Sequence, residues 1–111
     1  MRRVLSLAAL CAGLLASACA FAGDATVKME HQTFLPDKLN VAAGTKITWM
    51  NNDTIPHSVT ANDGKFDSGA ILPGKSFQWT ATDAGTVDYH CIFHPSMTAA
   101  ITVRAPKKGA H

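Results

Sequence analysis

Apolar residues in this chain recur at every second position, and no segment carries a capped apolar stripe at helical spacing. Val27 and Met29 alternate with polar neighbours over residues 25–32. Leu39 and Val41 do so over 38–42, and Ile47 and Trp49 over 45–51. Val59 sits within 57–61, and Phe77 and Trp79 within 76–82. Val87, Tyr89 and Cys91 share one face of 86–91, and Ala99, Ile101 and Val103 share one face of 98–104. Each run is rich in β-branched or aromatic residues. Turn-forming clusters separate them at Ala43-Gly44, Asn62-Asp63-Gly64, Leu72-Pro73-Gly74 and Asp83-Ala84-Gly85. Residues 63–72 leave room for one further short, irregular strand. Seven or eight short strands predict an all-β protein, a Greek-key β-sandwich or barrel of two sheets.

The first 22 residues read differently. Arg2-Arg3 precede an apolar run from Val4 to Leu15, and small residues follow with A-x-A patterns ending at Ala20 and Ala22. This is the layout of a secretory signal peptide, and the run is short for a membrane span. The expected division is a leader at 1–22 and a single domain at 23–111, exported to the periplasm. Two alternatives stay open: a lipid on Cys19, from the loose lipobox Ala16-Ser17-Ala18-Cys19, and twin-arginine export through Arg2-Arg3.

Removing the leader changes the chemistry that remains. Cys11 and Cys19 leave with it, so Cys91 is the only thiol of the domain. A lone cysteine in an oxidising setting has no intramolecular disulfide to make, which points to metal binding, reactivity or intermolecular pairing. Arg2 and Arg3 are the only charged residues of the leader, so ten basic residues become eight and match the eight acidic ones. A neutral domain has no electrostatic case for nucleic acid.

Cys91, His94 and Met97 stand three residues apart, and His57 lies upstream just after Pro56. Two imidazoles, a thiolate and a thioether match the donor set of a mononuclear type 1 (blue) copper centre. Soft sulfur suits Cu(I), and imidazole serves both oxidation states. Zinc also accepts Cys and His, but a weak axial Met is poor zinc chemistry. A strand that ends at Cys91 can pass into a tight loop that returns His94 and Met97 to the same point. A regular strand cannot do this, because its side chains alternate between faces. His57 then has to arrive from another strand. Taken singly, Cys91 and Met97 read as core residues and His57 as a loop histidine; the combination reverses that balance. His90 is expected to face away from Cys91, while His31 and His111 have no partners in sequence.

The segments Ile47-Thr48-Trp49-Met50-Asn51, Pro56-His57-Ser58-Val59 and Ala84-Gly85-Thr86-Val87-Asp88-Tyr89-His90-Cys91, with the short loop to Met97, resemble the cupredoxins. The resemblance implies a two-sheet Greek-key fold, one copper ion and outer-sphere electron transfer in the periplasm. Ser58 departs from it, because many members carry Asn after the upstream His to tie the two ligand loops together. Ile92-Phe93 also replaces a more polar or Pro-containing pair.

The function expected is a diffusible, monomeric carrier of single electrons, not an enzyme. Redox partner proteins would dock near His94, among Ile55, Pro56, Phe93 and Pro95, and no membrane span is expected in 23–111. The alternative is a periplasmic copper carrier or store that delivers the metal to another protein. Such a protein would be expected to display extra Met or His clusters, which the sequence lacks.

Overall fold

The computed structural model describes residues 23–106. The expected leader at 1–22 and the final residues 107–111 lie outside the described residues. Eight strands run in chain order: β1 (Asp24–Glu30), β2 (Thr33–Leu35), β3 (Lys38–Ala42), β4 (Thr45–Asn51), β5 (Thr60–Ala61), β6 (Ser76–Ala81), β7 (Gly85–His90) and β8 (Thr98–Arg104). They form two four-stranded sheets, ordered β2-β1-β4-β6 and β3-β8-β7-β5. Both sheets are mixed: β1 runs parallel to β4 and β3 parallel to β8, and the other pairs are antiparallel. The all-β sandwich expected from the two-residue periodicity is the fold observed.

The alternating residues meet between the sheets. Val27, Met29, Ile47 and Trp49 from one sheet face Val87, Tyr89, Ile101 and Val103 from the other, all buried. Trp49 stands at the centre, edge-on to Tyr89 at a centroid distance of 5.6 Å, and its Nε1–H donates to the Tyr89 hydroxyl at 3.1 Å. That bond lets a large polar-tipped pair be buried without an orphaned donor. Phe66 and the half-buried Phe77 and Trp79 continue the aromatic cluster toward the β6 edge.

The structure differs from the sequence reading in two places, both next to the candidate ligands. First, the opening strand stops at Glu30 instead of reaching residue 32, and the chain turns back into β2. His31 and Gln32 adopt φ of 55° and 57°, the left-handed pair of a tight hairpin turn that usually calls for Asn or Gly. Neither residue signals this turn locally. The turn is stabilised from a distance: the Asp53 carboxylate accepts the His31 N–H at 2.7 Å and the Gln32 N–H at 2.9 Å. Second, the strand expected over 57–61 is reduced to Thr60–Ala61. The Ser58 N–H points to the Cys91 sulfur and the Val59 N–H to Ser68 Oγ, so neither is free for a ladder. His57 keeps a single antiparallel bridge to Ile71, and Thr60 one to Asp67. These bridges take the place of the irregular strand allowed for over 63–72.

Candidate metal centre

The downstream half of the site is the loop between β7 and β8. Cys91 is the first residue after β7, and Met97 the last before β8. The loop closes on itself: the Met97 N–H donates to the His94 carbonyl at 2.8 Å, and the Cys91 N–H donates to the Met97 carbonyl at 3.1 Å. Cys91 and Met97 are buried, His94 is partly buried, and Ile92 and Phe93 between them are exposed.

The upstream half arrives from the segment after β4. Asn51 ends that strand fully buried, and its amide donates to the carbonyls of Ile55 and Ile71 at 2.9 and 2.8 Å. One side chain therefore shapes the 52–56 loop and docks it on the segment that bridges to His57. The His57 N–H donates to Ile71 O, and the Ile71 N–H returns the bond to His57 O. His57 itself is wholly buried.

Three of the four residues singled out in the sequence come together as a donor cluster. The ligand atoms of His57, Cys91 and His94 all lie within 4.8 Å of one another. His57 Nδ1 stands 3.8 Å from Cys91 Sγ, and the two imidazoles meet edge to face with centroids 5.1 Å apart. Met97 is buried at the end of the same loop. His94 Nε2 is buried without any hydrogen-bond partner among the described residues. A buried, unpaired ring nitrogen is costly in a folded protein, and a metal bound in this cluster would relieve that cost. Two imidazoles and a thiolate, with a thioether at hand, are the donors that type 1 copper takes. The residues fit the ion.

Ser58 resolves the departure noted in the sequence. Its shorter side chain still ties the two halves together. Ser58 Oγ accepts the Ile92 N–H at 2.9 Å, and the Ser58 N–H donates to Cys91 Sγ at 3.3 Å. Thr60 Oγ1 donates to Asp67, so the Ser58 hydroxyl proton is the one shared between Ser58 and Thr60. Full burial of Ser58 keeps these bonds free of competing water.

Asp53 was not singled out in the sequence, yet its carboxylate lies 2.7 Å from His57 Nε2. Partial burial pushes its carboxyl up, but the hydrogen bonds from the Gln32 amide, His57 and the His31 amide prevail and hold it below the ordinary 3.8. An Asp four residues before a candidate ligand is the one sequence signal that could have revealed it. His90, as expected, points away from the centre and pairs with Asn62 Oδ1 at 2.6 Å.

Comparison with known proteins agrees with this geometry. The cupredoxin-like domain family matches residues 3–103. Amicyanin of Methylorubrum extorquens (the alpha form) is 32% identical over 102 residues, covering 86% of each chain. Amicyanin of Paracoccus denitrificans is 33% identical over 81 residues, which cover 68% of this chain and 60% of that protein. The structure superimposes on the Cu(I) form of a methionine-to-alanine variant of amicyanin with a TM-score of 0.69 at 29% identity, covering 74% of this chain and 83% of the other. It matches a purple cupredoxin from Nitrosopumilus maritimus with a TM-score of 0.65 at 28% identity, covering 72% and 99%. Fold, donor cluster and sequence agree, and the chain belongs to the cupredoxin family, with amicyanin among the proteins it resembles.

Proposed function

We propose that this protein carries single electrons between redox partners through one mononuclear copper ion held by His57, Cys91, His94 and Met97. The observation that carries the reading is the buried Cys91 thiol, placed 3.8 Å from His57 Nδ1 and within the three-residue donor cluster. When bound, copper supplies reversible one-electron cycling. The protein's own part is to make that cycling fast. His57 and Cys91 are fixed in a dry interior and bridged by Ser58, so the donor set need not rearrange between oxidation states. Met97 would offer a bound copper its thioether, a weak soft donor that would tune potential more than affinity.

Electrons enter and leave on the His94 side, the least buried of the four donors. Phe93, Pro95 and Pro56 are exposed and Ile55 is partly buried. Ile92, about half exposed, extends the apolar surface of the Cys91–Met97 loop. Such surfaces suit brief docking to partner proteins. Export to the periplasm fits the leader-like residues 1–22, and the domain acts as a monomer. Among the described residues no helix is long and apolar enough to cross a membrane. A copper-delivery role is less well supported, because a donor set that is mostly buried favours retaining the ion over handing it on.

Titration of the apoprotein with Cu(II), followed by visible absorption, tests the reading. An intense thiolate-to-copper band and reversible voltammetry are expected. A colourless complex, or binding of zinc alone, overturns the proposal.

A further inference from the structure

The upstream imidazole has a second neighbour that a metal-binding role does not by itself require. Asp53 Oδ2 lies 2.7 Å from His57 Nε2. The carboxylate is 17% exposed and the imidazole 0%. Main-chain donors fix the carboxylate: the His31 N–H binds Oδ1 and the Gln32 N–H binds Oδ2. Asp53's own N–H donates to Asn51 Oδ1 at 2.9 Å. The group is therefore held from β4, from the β1–β2 turn and from the ligand at once.

An ionised carboxylate only accepts hydrogen bonds. A neutral His57 ring must then carry its proton on Nε2, which leaves the lone pair on Nδ1. Nδ1 is the nitrogen that faces Cys91 Sγ, at 3.8 Å. The ring is thus set in the tautomer that ligation needs before any metal arrives. The same carboxylate brings a fixed negative charge to within one imidazole of the centre, and partners of this kind raise the basicity of the ligand they hold. Negative charge and a more basic donor both favour the higher oxidation state of a bound metal.

We propose that Asp53 is a positioning residue of the metal centre, presetting the His57 ring with Nδ1 as donor and biasing the loaded centre toward its oxidised form. The inference rests on the copper reading above. It adds a link that this reading lacks: the turn at His31-Gln32, far from Cys91 in sequence, is joined to the metal through one carboxylate.

The test compares wild type with Asp53→Asn and Asp53→Glu. In Asp53→Asn the shape is kept and the charge is lost. Cu(II) affinity is expected to fall about tenfold relative to Cu(I), within the 10–100-fold range typical for such partners; for a one-electron couple, tenfold corresponds to a rise in potential of about 59 mV. Asp53→Glu restores the charge but cannot seat both turn amides, so its potential should return toward wild type while its melting temperature stays low. A merely structural residue would lower stability in both variants and leave the potential unmoved. Nitrogen-15 NMR of wild-type apoprotein gives a readout free of copper, with His57 expected as the Nε2–H tautomer. A blue Asp53→Asn variant with the wild-type potential, or a His57 protonated on Nδ1 in the apoprotein, overturns the inference alone. A wild type that takes up no Cu(II) overturns the proposed function, and this inference with it.

Discussion

The two segments that build the centre are held in opposite ways. The upstream segment, from Asn51 to Thr60, is held by contacts distant in sequence. Asn51 reaches Ile71, Asp53 reaches His31 and Gln32, Ser58 reaches Cys91 and Ile92, and Val59 reaches Ser68. The downstream segment, from Cys91 to Met97, is closed mainly by two bonds within itself, plus the bonds that Ser58 supplies. The first buries Asn51, His57, Ser58 and Val59, whereas the second presents Ile92 and Phe93 to solvent. One side therefore fixes geometry, and the other combines binding with access. A carrier needs both, because a rigid donor set makes electron exchange fast and a reachable ligand makes it possible.

The comparison predicts failures of different kinds. Cys91→Ser gives the largest effect on the downstream side. It removes the only thiolate of the domain, so the thiolate-to-copper band is expected to vanish, as read by visible absorption. The fold should survive, because Ser occupies nearly the same volume. A variant that kept the band would break the ligand assignment. Asn51→Ala strikes the upstream side and should act on folding instead. It leaves the Ile55 carbonyl without its donor and the Asp53 N–H without its acceptor, and it removes one of the two donors of the buried Ile71 carbonyl, which keeps the His57 N–H. At roughly 1–3 kcal/mol per unsatisfied group, a loss of about 3–4 kcal/mol is expected in urea unfolding of the apoprotein. A loss under about 1 kcal/mol would show that the upstream segment is not held as described.

Much of this was legible in the sequence, and unevenly so. The core faces of β1, β4, β7 and β8 followed from period-two alternation, because burial on one sheet face imposes that period directly. The four candidate ligands were legible because a Cys-His-Met spacing with an upstream His has few other uses. What escaped was set by long-range hydrogen bonds. The hairpin turn at His31-Gln32 lacks Gly or Asn and is held by Asp53, more than twenty residues away. Residues 57–59 look like strand, but their donors are spent on a sulfur, a hydroxyl and a single bridge. Ser58 departs from the Asn that ties the loops in many family members, and only the close approach of the Ile92 N–H shows that the shorter side chain reaches.

The downstream loop also inherits support from the strand it follows, and pH can probe that support. Tyr89 lies two residues before Cys91, is 1% exposed and accepts the Trp49 Nε1–H. Burial pushes its hydroxyl up from 10.0 to about 12, against the opposing Trp49 hydrogen bond. The folded state thus holds the Tyr89 proton more tightly than the unfolded chain does. The stability linked to it is complete below pH 10 and is lost as pH rises from about 10 to about 12. At about 1.4 kcal/mol per unit, this amounts to up to about 3 kcal/mol, measurable as a fall in the urea midpoint across that range. Tyr89→Phe should flatten this fall, at the cost of leaving the Trp49 N–H unpaired. An identical alkaline fall in Tyr89→Phe would assign it to other groups.

The smallest structural effect is expected on the exposed face of the downstream loop. Phe93 is 46% exposed and sits between the buried Cys91 and the partly buried His94. Phe93→Lys should change stability by about 1 kcal/mol or less, because exposed positions away from special contacts rarely cost more. The potential should also stay close to wild type, since no donor is altered. Electron self-exchange should respond far more strongly. Two copies exchanging electrons through their His94 faces would bring two lysines together, and like charges at a contact oppose the encounter. The slowing should fade with added salt, because screening shortens to about 10 Å at 0.1 M and about 3 Å at 1 M. NMR line broadening in mixtures of Cu(I) and Cu(II) protein measures the rate. A variant that exchanged electrons as fast as wild type at low salt would place the electron route elsewhere, and the downstream loop would then bind the metal without giving access to it.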